Sequence, residues 1–229
     1  MTIFGSRDDV TDLVDLARVA TIFEGADPGA IVAWAWKQFG EGLVCTSSFE
    51  DSVLLDVIAR VAPLTEIVFL DTQYHFAETL WYVDELRKRY RFNLKVIRPL
   101  EEVVPDNRWQ HDVEACCHIR KVGPLARALV GKTAWITGIR RADGPSRATA
   151  PIVAADFGRS VVKINPLATL SDDDMASYAA TNDLLVHPLI EKGYLSIGCW
   201  PCTRPVLPGQ DRRAGRWAGL AKTECGLHQ

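Results

Sequence analysis

Five of the six cysteines sit where chemistry could use them. Cys116 and Cys117 are adjacent, Cys199 and Cys202 form a C-x-x-C far downstream, and Cys225 lies in Glu224-Cys225-Gly226-Leu227-His228, near the end of the 229-residue sequence. Two cysteine pairs distant in sequence can converge on one inorganic centre, and four thiolates suit tetrahedral zinc or an iron–sulfur cluster. A two-residue spacer lets both sulfurs of a pair turn onto one small ion, which directly adjacent cysteines do badly. A larger cluster offers separated iron corners, so this spacing favours 4Fe-4S over zinc. The competing reading is a pair of buried free thiols beside an unrelated C-x-x-C, because cysteine is often buried for its apolar character. A disulfide framework is disfavoured: the first residues, Met1 to Asp9, are too polar for a signal peptide, the chain is long and cysteine is sparse.

Cys225 stands apart. Its neighbourhood is hydrophilic and contains glycine, where burial would serve no purpose. The thiolate is the reactive form of cysteine and nearby cations favour it, with Arg213, Arg216 and His228 as candidates. Lys121 follows Cys117 by four residues, on the same face of a helix, where an ammonium would offset the negative charge of four thiolates. Arg120 adjoins it, whereas Cys45, on an apolar strand, reads as core, and His111 and His118 read as structural. From Arg204 onward five basic residues stand against two acidic ones, in a chain of net charge −3. A basic segment carrying a cysteine fits a small anionic substrate; a solvated tail is the bland alternative. The overall charge argues against bulk nucleic-acid binding. No apolar run reaches the length of a membrane span, and with reduced cysteines the expected location is the cytoplasm.

These residues need a scaffold. With 48% apolar residues, the chain can bury one sizeable core, read as a single domain over 1–203 followed by a basic tail over 204–229. Helical spacing marks Asp12 to Phe23, a helix opened by Asp27-Pro28, then Glu50 to Val61, Phe76 to Tyr90, and a helix capped by Ser171 that runs to Asn182. Cys116 to Leu129 is helical in pattern, with Gly123-Pro124 expected to bend or divide it. Short apolar strands fall at Leu43–Cys45, Glu66–Leu70, Leu94–Ile97, Thr133–Thr137 and Val161–Ile164. Strands alternating with amphipathic helices predict an α/β fold: a mostly parallel sheet with helices on both faces.

In such sheets ligands bind beyond the carboxyl ends of the strands. Thr46, Ser47 and Ser48 end the first strand, and their hydroxyls with the N–H groups of the following helix could hold a phosphate or sulfate, although they could also be ordinary caps. Leu70 and Asp71 end the second strand, where a nucleoside could lie. Gly138-Ile139-Arg140-Arg141 ends another, with Asp143 and Arg147 beyond; Arg140 and Arg141 are placed to clamp an anion bidentately or to form a solvated basic loop.

Taken together, the Thr46-Ser47-Ser48 loop, Leu70-Asp71-Thr72, Cys116-Cys117-His118-Ile119-Arg120-Lys121, Gly138-Ile139-Arg140-Arg141, Cys199-Trp200-Pro201-Cys202 and Glu224-Cys225-Gly226-Leu227-His228 resemble the iron–sulfur type of assimilatory adenosine 5′-phosphosulfate (APS) reductase. The resemblance runs from about Gly42 to His228. It implies an adenine nucleotide alpha hydrolase-like fold related to ATP pyrophosphatases, and a 4Fe-4S cluster on Cys116, Cys117, Cys199 and Cys202 with Lys121 beside it. It further implies Cys225 as nucleophile near His228, with Arg213 and Arg216 at the substrate, and thioredoxin or a glutaredoxin as reductant. A homo-oligomer is compatible with it. Ser47-Ser48-Phe49 contains no glycine, which argues against a triphosphate there but accords with one phosphate and one sulfate. Three rivals are a 3′-phospho-APS reductase, a branch that generally lacks the paired cysteines, a tRNA-thiolation type of adenylating enzyme, and a zinc-stabilised binding domain.

Overall fold

A computed structural model describes residues 16–220 and 222–228. A helix over 16–22 (α1) is the described part of the first expected helix; residues 12–15 of that expectation lie outside the described residues. Asp27 caps α2 (Pro28–Phe39), its Oδ1 accepting the Ala30 N–H at 3.1 Å, with Pro28 in the first turn where its missing N–H costs nothing. Then come β1 (Leu43–Ser47), α3 (Val53–Val61), β2 (Glu66–Leu70), α4 (Ala77–Tyr90) and β3 (Asn93–Ile97). After two short helices, α5 (Arg108–His111) and α6 (Val113–Cys117), and a helix α7 (Gly123–Ala128), the chain forms β4 (Ala134–Ile136), β5 (Val153–Asp156), β6 (Val161–Ile164) and α8 (Asp172–Thr181). Ser171 and Asp174 cap α8 reciprocally.

The six strands lie in the order β3-β2-β1-β4-β6-β5, all parallel except β5, which runs antiparallel to β6 at the edge. β5 was not anticipated: Ala154, Ala155 and Asp156 carry no strand signal, and pairing with β6 is what extends them. Side chains alternate between the two faces as the pleat requires. Leu43 and Cys45 of β1, Ile67 and Phe69 of β2 and Ala134 and Ile136 of β4 join the apolar core shared with α2, α3 and α4. Val44, Val68, Leu70 and Trp135 point the other way, onto Leu125, Ala128 and Leu129 around α7. The expected two-faced packing is therefore present, and Cys45 is a core residue with no exposure.

The helix expected from Cys116 to Leu129 is divided. Between α6 and α7 lies a π-helical turn, His118–Val122, in which the Gly123 N–H donates to the His118 carbonyl five residues back. Pro124 explains the slip: it has no N–H to offer the Arg120 carbonyl, and its ring crowds that oxygen. The wider turn carries Arg120 and Lys121, both buried, just after the cysteine pair.

Candidate active site

The sequence order of the strands reverses about β1, whose neighbours are β2 on one side and β4 on the other. That point of divergence opens a crevice at the carboxyl ends of the strands. A cavity of about 190 Å³ occupies it, floored by Thr46, Ser47 and Ser48 after β1, Leu70 and Thr72 at β2, and Thr137 and Gly138 at β4. Phe49 makes the tight turn after β1 with φ 55°, in the left-handed region that favours glycine. Its ring is fully buried against Phe69 at 5.3 Å, so packing offsets the strain that glycine would have avoided. Asp51 also lines the cavity; burial and repulsion from Glu50 push its pKa up to about 6.

The C-terminal segment closes the crevice. Trp217 N–H donates to the Cys202 carbonyl and Arg204 N–H to the Gly215 carbonyl, tying residues 203–217 into a hairpin behind the C-x-x-C. Lys121, Arg216 and Lys222 surround the buried Trp217 ring at 5.8, 4.7 and 5.6 Å from its centroid. The π face attracts all three and so lets like charges gather. Leu227 packs on the apolar core around α7, and His228 stacks on Trp135 with ring centroids 5.5 Å apart. Cys225 is thereby placed in the cavity wall, together with Lys121 and Arg216. Burial alone would raise the Cys225 pKa, but Lys121, the Leu227 N–H and Arg216 bring it below the ordinary thiol value. Burial likewise opposes charge on Lys121, and the thiols of Cys199, Cys225 and Cys117 more than restore it.

The remaining cysteines gather beside this wall. All are free; Cys116, Cys117 and Cys199 are buried and Cys202 is half-buried. Cys116 is pushed up to about 11 by burial and by Cys117, Cys199 and Cys202, so the four sulfurs lie within electrostatic reach of one another. Among the described residues no three Cys, His, Asp or Glu side chains close on a single ion. Four free thiols within electrostatic reach of one another have the donor chemistry that a 4Fe-4S cluster would use. Thr72 Oγ1 is hydrogen-bonded to Cys199 Sγ at 3.3 Å, and the Trp200 N–H donates to the Tyr74 carbonyl at 2.8 Å. The loop after β2 is thus fastened to the C-x-x-C. Arg120 lies over Tyr74 at 4.5 Å and donates to the Val104 carbonyl at 2.7 Å, holding the loop that leads to α5.

Two of the expected substrate contacts fall elsewhere. Arg141 turns out of the crevice and pairs with Glu24 while its Nε donates to the Ala150 carbonyl at 2.9 Å. Asp71 pairs with Arg98 at 2.8 Å and is absent from the cavity wall. Asp71 follows Leu70 at the end of β2, and successive strand residues point to opposite sides; Arg141 lies beyond β4 in the turn Arg141–Asp143, where its N–H donates to the Ala168 carbonyl at 2.9 Å. Arg140 is 3% exposed and bound to Asp143 and Asp172, which leaves it a wall rather than a free clamp. Arg213 donates to the Thr223 carbonyl at 3.0 Å and pairs with Glu224, so it holds the tail. The cation acting most on Cys225 is Lys121, rather than Arg213 or His228. Sequence reasoning gave no role to Trp135, Trp217 or Arg212, whose positions no short motif marks; Arg212 bridges Glu50 and Asp172.

The sheet order, the crevice at its divergence point and the strand-end hydroxyl loop are those of an adenine nucleotide alpha hydrolase-like fold. A solved NAD synthetase from Campylobacter jejuni shares it at TM-score 0.51 and 15% identity over 75% of this chain and 76% of that one. The phosphoadenylyl-sulfate (PAPS) reductase of Candida auris, solved as a phosphate complex, superposes at TM-score 0.73 with 25% identity, covering 88% of this chain and 98% of that one. Residues 42–205 match the phosphoadenosine phosphosulfate reductase domain. Proteins named adenosine 5′-phosphosulfate reductase are 43% identical in Mycolicibacterium smegmatis, over 95% of both chains, and 41% identical in Rhodococcus erythropolis, over 100% of this chain and 99% of the other. The chain belongs to the phosphoadenosine phosphosulfate reductase family.

Proposed function

We propose that the chain reduces adenosine 5′-phosphosulfate to sulfite and AMP, with Cys225 as nucleophile, in sulfate assimilation. The observation that carries this reading is a thiol of depressed pKa set in the wall of the strand-end crevice, beside Lys121 and Arg216. Two further groups of that wall support it. Arg216 Nε and His228 Nδ1 are buried without a hydrogen-bond partner among the described residues, as donors or acceptors awaiting a ligand are.

The Cys225 thiolate attacks the sulfur of the substrate. The bond from sulfur to the bridging oxygen breaks, its electron pair leaves on AMP, and an S-sulfocysteine remains on the enzyme. Nucleophile and substrate are both anionic, so Lys121 and Arg216 must offset charge at the sulfate while the Thr46, Ser47 and Ser48 hydroxyls take the phosphate. A dithiol reductant, thioredoxin or a glutaredoxin, then attacks Cys225 Sγ. Sulfite departs with the sulfur–sulfur electron pair, and the second thiol resolves the mixed disulfide. Cys116, Cys117, Cys199 and Cys202 hold a 4Fe-4S cluster in this reading. Bound there, it would supply a compact negative charge beside Lys121.

The test is Cys225→Ser in anaerobically prepared protein. Sulfite formation should vanish while about four irons per chain and their visible absorbance stay in place. Surviving sulfite release would remove the nucleophile assignment. Parallel assays with APS and 3′-phospho-APS should favour APS; faster turnover of the 3′-phosphorylated substrate would replace it as the substrate.

A further inference from the structure

The residue next to the nucleophile is engaged more completely than the nucleophile itself. Glu224 accepts from Arg147 Nε at 2.8 Å and Nη2 at 2.9 Å, from Ser146 Oγ at 3.0 Å and from Arg213 Nη2 at 3.3 Å. The Arg147 and Glu224 side chains are each only 13% exposed. Arg147 Nη1 is held from behind by Asp143 at 3.0 Å, and Asp143 in turn by Arg140, which is anchored to Asp172 of α8. A bidentate guanidinium–carboxylate pair fixes both distance and orientation, which a single contact does not. On the far side of Cys225, Arg159 Nη2 reaches the Gly226 carbonyl at 3.5 Å and Leu227 enters the core. The backbone of Cys225 is thus bracketed, and its thiol has one place to go.

Arg147 also lines the cavity. Its position would let it serve as an anion ligand, but three of its five N–H donors, Nε and one each of Nη1 and Nη2, already meet carboxylates that fix its plane. Turning the guanidinium toward a substrate oxygen would break the bidentate pair with Glu224 and the bond to Asp143, which is costly at side chains this buried.

We propose that Arg147 and Glu224 form a positioning clamp that makes no contact with substrate and seats Cys225 in the crevice for attack. The clamp rests on the reading of Cys225 as the nucleophile and adds the residues that aim it. Misplacing a reacting atom by about 1 Å can cost on the order of a hundredfold in rate. Loss of the clamp should therefore appear in the chemical step and spare nucleotide affinity.

The experiment compares Glu224→Gln, Arg147→Gln and the double variant, each checked for wild-type iron content. AMP affinity and single-turnover AMP release are measured on the full-length protein. Each single variant should slow AMP release by about a hundredfold and keep AMP affinity near wild type. The double variant should be no worse than either single one, since both remove the same pair. A second reading uses Arg147→Lys, which keeps the charge and loses the bidentate fork; it should remain slow. Arg147→Gln weakening AMP binding about tenfold while Glu224→Gln behaves as wild type would make Arg147 a substrate ligand and overturn the clamp. Wild-type rates in both single variants would overturn it as well, with Cys225→Ser still inactive. Activity in Cys225→Ser would instead bring down the nucleophile assignment beneath it.

Discussion

The thiol proposed as nucleophile sits among charges that act on it. Cys225 would be raised by burial, yet Lys121 and Arg216 lower it. The thiolate is the attacking species, so reactivity extends to lower pH than an ordinary thiol's and fades as pH falls through the depressed pKa. Lys121→Met removes the largest of these favourable charges. The acid limb of Cys225 alkylation by iodoacetamide should then move to higher pH, which a pH series of alkylation rates reads directly; an unmoved limb would mean that Lys121 does not set the thiolate. Arg216 is held less directly. A Cβ on Gly198 would lie 2.3 Å from Arg216 Nη2, so Gly198→Ala must push the guanidinium aside. KM should rise and kcat fall, by about tenfold or more in kcat/KM if one charge-assisted hydrogen bond is lost.

Elements hold the site through a few closely packed crossings. Asp56 of α3 is 2% exposed and accepts from Arg60 at 2.6 Å, from Tyr90 at the end of α4 at 2.9 Å and from Tyr178 of α8 at 2.8 Å. One carboxylate joins three helices on one face of the sheet. Burial works against its charge, and Arg60 with the two tyrosine hydroxyls nevertheless holds its pKa below the usual value. Such a lowered carboxylate stabilises the fold above its unfolded pKa, and the gain is lost as pH falls through the folded one. Asp56→Ala leaves two hydroxyls without their acceptor and should cost about 2–4 kcal/mol in urea unfolding, with the loss shrinking in acid. The hairpin over 203–217 depends on backbone contact instead. A Cβ on Gly215 would stand 2.0 Å from the Arg204 carbonyl oxygen. Gly215→Ala should therefore part the hairpin, unseat Trp217 and speed proteolysis of the C-terminal segment, while far-UV circular dichroism of the sheet and helices stays close to wild type.

The whole molecule separates its stability from its chemistry. Two apolar cores flank the sheet, whereas Cys116 and Cys199 pack apart from both, with Tyr74 and Trp109. The loops joining these regions carry few apolar contacts, so they open at lower cost than the sheet. With the proposed cluster bound, stripping its iron by oxidation and chelation should leave far-UV circular dichroism nearly unchanged. Proteolysis within residues 193–220 should accelerate. Global loss of secondary structure would show instead that the metal centre holds the core. Among the described residues no helix is long and apolar enough to cross a membrane.

Much of this was legible in the chain itself. Alternating apolar residues set the strands and their two faces, Asp27, Ser171 and Pro124 set helix starts and a break, and the cysteine spacing with the terminal Glu-Cys-Gly-Leu-His marked residues that the fold gathers around one crevice. Those signals are local: periodicity, caps and spacing act within a turn or a pleat. The partners of each charge are set by contacts between distant segments, and only the tertiary structure decided them. Arg141 and Arg140 are neighbours in sequence, yet one meets Glu24 and the other Asp143 and Asp172. Glu224 and Arg147 are separated by most of the C-terminal third of the chain, and their pairing is invisible until the sheet brings the β4 loop under the tail. Charge recognises charge at any sequence distance, so the number of basic residues is written in the sequence and their assignment to partners is written in the fold.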